Sequence, residues 1–210
     1  MIDFIKSIFP RKKEKVLDEK KLEALKIEMA YTLKDTRTPR LSFPPGFRKD
    51  LPTFIILDDS AGATMLFDDT IAKIKKRDDG LADNIQFVKI STSQAVFMLK
   101  AEIDRGTIDN IVGAVLDITI GGWAVKNGMT LILDGIDAYS EIRKKFPHAV
   151  LRFFTSHSMN EKNAEIYKFM KKYEDLTGED ITKITYMKNP FSTNREDMMI
   201  SMLQEIKWTE

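Results

Sequence analysis

Five polar residues in this chain each follow a short apolar run, and their types can combine into one chemistry. Asp58 and Asp59 close FIIL, Asp117 closes IVGAVL, Thr155 closes AVLRFF and Lys188 closes ITKITYM. Carboxylates gathered at one place oppose one another's ionisation and raise one another's pKa. A divalent cation removes that cost, and Mg2+ takes one or two carboxylates together with waters and phosphate oxygens. A lysine adds a point charge for a phosphoryl oxygen or for Asp117, and a threonine adds a hydroxyl donor. The cation expected is therefore Mg2+, beside a phosphoryl group. Composition removes other chemistries. The 210 residues contain no cysteine, which excludes disulfides, thiolate nucleophiles and cysteine zinc sites. They contain only two histidines, His148 and His157, too few for a histidine-rich metal centre.

These residues meet only if the apolar runs are neighbouring strands of one sheet. Thr53–Leu57, Ile85–Ile90, Ile111–Leu116, Ala149–Phe154 and Ile181–Met187 have strand length and strongly apolar centres, as strands buried on both faces do. The spacing predicts a helix from the Asp58-Asp59 pair through Lys76 and a second over Thr92–Arg105, opening on Ser/Thr residues suited to an N-cap. A third is predicted over Leu131–Phe146, with Ile132, Ile136, Tyr139 and Ile142 on one face, then Glu161–Leu176 and Thr193–Ile206. Alternating strands and helices predict an α/β fold with a doubly wound, five-stranded parallel sheet flanked by helices. Functional sites in such sheets lie outside the carboxyl ends of the strands. An order 2-1-3-4-5 makes the first and third strands neighbours, so Asp58, Asp59 and Asp117 converge. Met198, Met199, Met202, Leu203 and Ile206 recur at helical spacing and read as core. Lys171-Lys172 and Arg143-Lys144-Lys145 read as solvated helix faces.

The balance of 33 basic against 32 acidic residues is an average over unlike parts. Residues 1–50 carry 13 basic and 8 acidic side chains, and residues 51–210 carry 20 and 24. Pro39, Pro44, Pro45 and Pro52 mark an irregular connector over 36–52. Before it, Leu22, Leu25, Met29 and Leu33 form one apolar stripe of a helix over 14–34. The expected organisation is an N-terminal extension, 1–50, and an α/β domain, 51–210. The apolar residues among the first ten read as a segment packing on the domain or on a second copy, rather than as a membrane anchor. A net charge of +1 argues against nucleic acid held by bulk charge. With no apolar run of membrane length, a soluble cytoplasmic chain is expected.

The motifs FIILDDS (54–60), VGAVLDIT (112–119), LRFFTSH (151–157) and ITYMKNPF (184–191) together resemble the receiver domain of two-component response regulators. The resemblance spans residues 53–207 and implies a flavodoxin-like fold. It implies that Asp117 is the phosphoacceptor, that Asp59 coordinates Mg2+ with Asp117 and the backbone carbonyl of Thr119, and that Asp58 orients a metal-bound water. Thr155 would hydrogen-bond the phosphoryl group and Lys188 would neutralise it, while Thr119 and His157 stand where family members tune dephosphorylation. The implied donor is a sensor histidine kinase or a phosphotransfer protein. The implied output is contact with a downstream protein, with the 14–34 helix as a homodimer or docking element and no enzymatic activity beyond self-phosphorylation and autodephosphorylation.

The chain departs from the family pattern in places. Asn189 stands between Lys188 and Pro190, and the usual aromatic switch position holds Thr185, with Tyr186 one place later. The segment ITIGGWAVKNGMT (118–130) is longer than usual and reads as a lid, a docking loop or a plain surface loop. Two other readings stand beside the phosphoacceptor: an unphosphorylated pseudo-receiver scaffold, and an Mg2+ phosphatase with an Asp nucleophile. Thr119, where that phosphatase needs a second Asp, weighs against the latter. Asp58-Asp59 taken alone read equally well as a helix cap.

Overall fold

The computed structural model describes residue 41 and residues 43–207, apart from 78, 93, 121, 127–128, 160–163 and 189–193. The expected 14–34 helix, the first ten residues and the Asn189-Pro190 turn lie outside the described residues. Strands β1 (Thr53–Leu57), β2 (Gln86–Ile90), β3 (Ile111–Leu116), β6 (Val150–Thr155) and β7 (Thr185–Met187) form one parallel sheet in the order β2-β1-β3-β6-β7. Counted among the parallel strands alone, this is the order 2-1-3-4-5 of a flavodoxin-like fold. Every residue of β1 is buried because both faces of the sheet are covered. Alternation along β1 sends Ile55 and Leu57 into one core and Phe54 and Ile56 into the other.

Among the described residues, five helices make the covers: α1 (Ala61–Lys75), α2 (Ala95–Asp104), α3 (Gly135–Lys145), α4 (Ala164–Thr177) and α5 (Asn194–Glu205). Helices α2, α3 and α4 close the larger core, where Tyr139, Phe153 and Tyr173 pack ring on ring. Helices α1 and α5 close the other, with Phe67 and Ile74 buried, and with Met198, Met199, Met202, Leu203 and Ile206 buried as their spacing implied. Gly113 in β3 leaves room for the ring of Phe54, since a Cβ there would lie 2.7 Å from it. The chain entering the sheet also packs on it. Leu41 is buried in the larger core, Phe43 and Phe47 stack together against it, and Gln86 bonds the backbone of Arg48 in both directions.

Several expected boundaries move. The segment after Asp117 is no plain loop: Gly122–Lys126 (β4) and Met129–Leu133 (β5) pair antiparallel as a hairpin separate from the main sheet. The third helix therefore begins at Gly135 rather than Leu131, and Ile132 belongs to β5, opposite Trp123. Helix α2 starts at Ala95, and its N-cap residue is Gln94 with no side-chain bond; Thr92 instead accepts from the Gln94 N–H at 3.3 Å. Residues 181–184 of the expected fifth strand turn as a 3-10 helix, capped by Asp180, leaving three residues for β7. Among the described residues no helix is long and apolar enough to cross a membrane.

Candidate functional site

The ladder of the sheet delivers the acids. The Asp58 N–H donates to Ile90 O at 3.1 Å and the Asp117 N–H to Leu57 O at 2.8 Å, so each residue stands one step beyond its strand at the carboxyl edge. The Lys188 N–H donates to Thr155 O at 2.7 Å, which extends the β6–β7 pairing to the same edge. From there Lys188 reaches back across the sheet, with Nζ 2.7 Å from Asp58 Oδ2 and 2.7 Å from Asp117 Oδ2. The remaining oxygens are also held. Asp117 Oδ1 accepts from the N–H and the hydroxyl of Thr119, both at 3.2 Å, and Asp58 Oδ1 accepts from the Ser60 N–H at 2.9 Å. Ser60, not either aspartate, is the side chain that caps α1, accepting from the Ala63 N–H.

Asp58 and Asp117 are buried, whereas Asp59 is exposed. One carboxylate oxygen from each of the three lies within 4.8 Å of the others. Burial pushes the Asp58 carboxyl above its ordinary value, against the opposing pull of Lys188 and the Ser60 amide. For Lys188 burial works toward a lower value, but the charges and hydrogen bonds of Asp117 and Asp58 outweigh it and raise the ammonium. The donors are all oxygens, two buried and one open to solvent, a set that fits a hard cation such as Mg2+.

Thr155 is fully buried, and the register that sets Leu116 opposite Phe153 carries it one residue past the level of Asp117. Its hydroxyl accepts from the His157 N–H at 3.2 Å, which ties half-buried His157 to the site by its backbone. Thr185 donates its hydroxyl to Ile181 O at 2.8 Å, and Tyr186 packs against the core under α1 and α5.

A second layer went unread in the sequence. Gly135 opens α3 directly against the backbone of Asp117. Asp134 and Asp137 form a reciprocal capping box around that first turn. Lys172, expected on a solvated face, instead sends Nζ to Asp134 Oδ2 at 2.7 Å and Asp137 Oδ2 at 2.8 Å. Arg143 and Lys145 also leave the solvated pattern, donating to Ala149 O at 3.0 Å and Ile103 O at 2.7 Å. An acid three residues after a capping acid, as in Asp134 and Asp137, is the signal that marks the box.

No family model matches the chain, and no curated protein matches it. Among solved structures, the chain is similar to a two-component transcriptional regulator AraC from Clostridium phytofermentans, at 14% identity over 73% of this chain and 93% of that one, with a TM-score of 0.43. It is similar to a response regulator from Thermotoga maritima at 14% identity, over 74% and 96% of the two chains, with a TM-score of 0.40. The receiver domain of Francisella response regulator 1452 is similar at 18% identity, over 72% and 95%, with a TM-score of 0.40. The flavodoxin-like fold stands on the chain's own strand order.

Proposed function

We propose that this protein is a phosphoacceptor signalling protein of the receiver type, with Asp117 as the residue phosphorylated. The observation that carries the reading is Lys188 bridging Asp58 and Asp117 beside Asp59, at the carboxyl edge between the first and third parallel strands. In-line transfer needs a positioned nucleophile and neutralised charge more than covalent help. Asp117 supplies a carboxylate oxygen, which bonds to phosphorus as the phosphorus–nitrogen bond of a donor phosphohistidine breaks. The imidazole leaves with the electron pair and takes up a proton. Asp58, Asp59, Asp117 and the Thr119 carbonyl would hold Mg2+, which when bound neutralises charge on the phosphoryl oxygens. Lys188 already sits on Asp117 Oδ2, so the same ammonium is placed to pair with a phosphoryl oxygen carried there. Thr155 donates its hydroxyl to that group, and the His157 backbone tied to it follows any movement of Thr155.

The donor in this reading is a sensor histidine kinase or phosphotransfer protein in the cytoplasm. The output is contact with a protein target or with a second copy through the 14–34 segment. No catalysis is assigned beyond gain and loss of the phosphoryl group. Incubation with Mg2+ and acetyl phosphate, followed by intact mass, tests the reading. A single phosphoryl adduct on the wild type, absent from Asp117→Asn, is expected. An unmodified wild type favours the unphosphorylated scaffold, and an equal adduct on the variant overturns Asp117. Solution mass of the full chain with and without beryllofluoride tests the second copy, and an unchanged monomer removes it.

A further inference from the structure

The first turn of α3 is seated on the phosphoacceptor's own backbone. A Cβ on Gly135 would lie 2.0 Å from the Asp117 carbonyl oxygen, 2.8 Å from its carbonyl carbon and 3.0 Å from Ile118 Cα. These are backbone atoms, and none can swing aside. The Gly135 N–H donates to Ile118 O at 3.2 Å, so the seating is bonded as well as close. On its other side, Asp117 is pinned by its N–H to Leu57 O. The Asp117–Ile118 backbone is therefore gripped between strand β1 and the start of α3.

That start of α3 is held in turn by charge. Asp134 Oδ1 accepts from the N–H groups of Ile136 and Asp137, at 2.8 and 3.1 Å, and Asp137 Oδ2 accepts from the Asp134 N–H at 3.0 Å. The two carboxylates are only 13% and 10% exposed and would repel without a cation. Burial, reinforced by Asp137, pushes Asp134 above its ordinary value. Lys172, from the middle of α4, is the ammonium that bridges them.

We infer that Lys172 is a positioning residue: by joining Asp134 and Asp137 it keeps the first turn of α3 pressed on the Asp117–Ile118 backbone and so fixes where the Asp117 carboxylate stands. Its kinetic consequence rests on the phosphoacceptor reading; its structural consequence does not. Displacing a reacting group by about 1 Å can cost up to about 100-fold in rate.

The test uses the full chain with Lys172→Met and Lys172→Arg. Without any phosphodonor, amide hydrogen exchange at Gly135 and at residues 117–119 is expected to accelerate in Lys172→Met and to stay near wild type in Lys172→Arg, while exchange in β1 is unchanged. With Mg2+ and acetyl phosphate, Lys172→Met should lower the saturated phosphorylation rate about tenfold and leave the half-saturating donor concentration within about twofold, with Lys172→Arg restoring the rate. If Lys172→Met does not fold, Lys172→Gln, which keeps a donor without the charge, replaces it in both arms. Wild-type exchange at Gly135 and 117–119 in a folded charge-free variant overturns the inference. So does a rate unchanged by the substitution, or one that Lys172→Arg leaves low. Absence of any adduct on the wild type defeats the phosphoacceptor reading alone, and the exchange arm still decides the role of Lys172.

Discussion

At the carboxyl edge of the sheet one ammonium serves two buried carboxylates. Lys188 is 17% exposed, and Asp58 and Asp117 are 3% and 5% exposed, so none of the three is well screened by water. Removing one partner from such a cluster leaves uncompensated buried charge, which typically costs about 3–5 kcal/mol. Lys188→Met is therefore expected to lose about 3 kcal/mol of stability, read as a lowered denaturant midpoint. Mg2+ should raise the thermal midpoint of that variant more than that of the wild type, because the metal would then stand in for the ammonium between the two carboxylates. An equal rise in the two proteins refutes the shared site. Asp58, Asp59, Asp117, Thr155 and Lys188 were legible in the sequence because each ends an apolar run, and strand direction alone sends such residues to one edge. Lys172 was not legible, because a lysine on an amphipathic helix looks the same whether it meets water or two carboxylates.

Among the elements, α3 and the hairpin before it show how local chemistry and insertion compete. Helix α3 was misread at its start because Leu131, Ile132 and Leu133 supply apolar residues that suit either a helix or a strand. Asn127-Gly128 between two apolar runs was the signal for a hairpin, since that pair is favoured in two-residue hairpin turns. At the cap of α3, Lys172→Met is expected to destabilise by about 1–2 kcal/mol, less than a fully buried pair because Lys172 is 38% exposed. The sign of its pH dependence follows from the carboxylates left behind. Asp134, already raised by burial and by Asp137, holds its proton still more tightly in the folded state without the ammonium, so the variant's deficit should shrink as pH falls through the carboxylate range. Thermal melts of variant and wild type at matched pH check this, and a deficit that grows on acidification contradicts it. In β3, Gly113→Ala puts a methyl 2.7 Å from the Phe54 ring. Overpacking of this kind costs about 1–3 kcal/mol, and a denaturant midpoint equal to wild type would show that the ring has room to turn.

Across the whole molecule, the α/β body reaches into the proline-rich connector. Leu41, Phe43 and Phe47 lie on the larger core, Gln86 holds the Arg48 backbone, and Asn110 donates to Asp50 O at 3.4 Å. A chain beginning at residue 41 keeps these contacts. One beginning at 51 loses three partly or fully buried apolar side chains, about 3 kcal/mol, and should melt roughly 6–12 °C lower. Equal midpoints for the two shortened chains would show that residues 41–50 contribute nothing. The sequence by itself determined the parallel α/β fold and the strand-end acids, because apolar runs buried on both faces and their bounding polar residues are local properties of the chain. Only the tertiary structure decided that Lys188 bridges Asp58 and Asp117, that Gly135 rests on the Asp117 backbone, and that Lys172 joins the cap of α3. Those contacts span 35 to 130 residues of chain or close around an inserted hairpin, and nothing in local composition specifies which distant groups such a packing brings within hydrogen-bond reach.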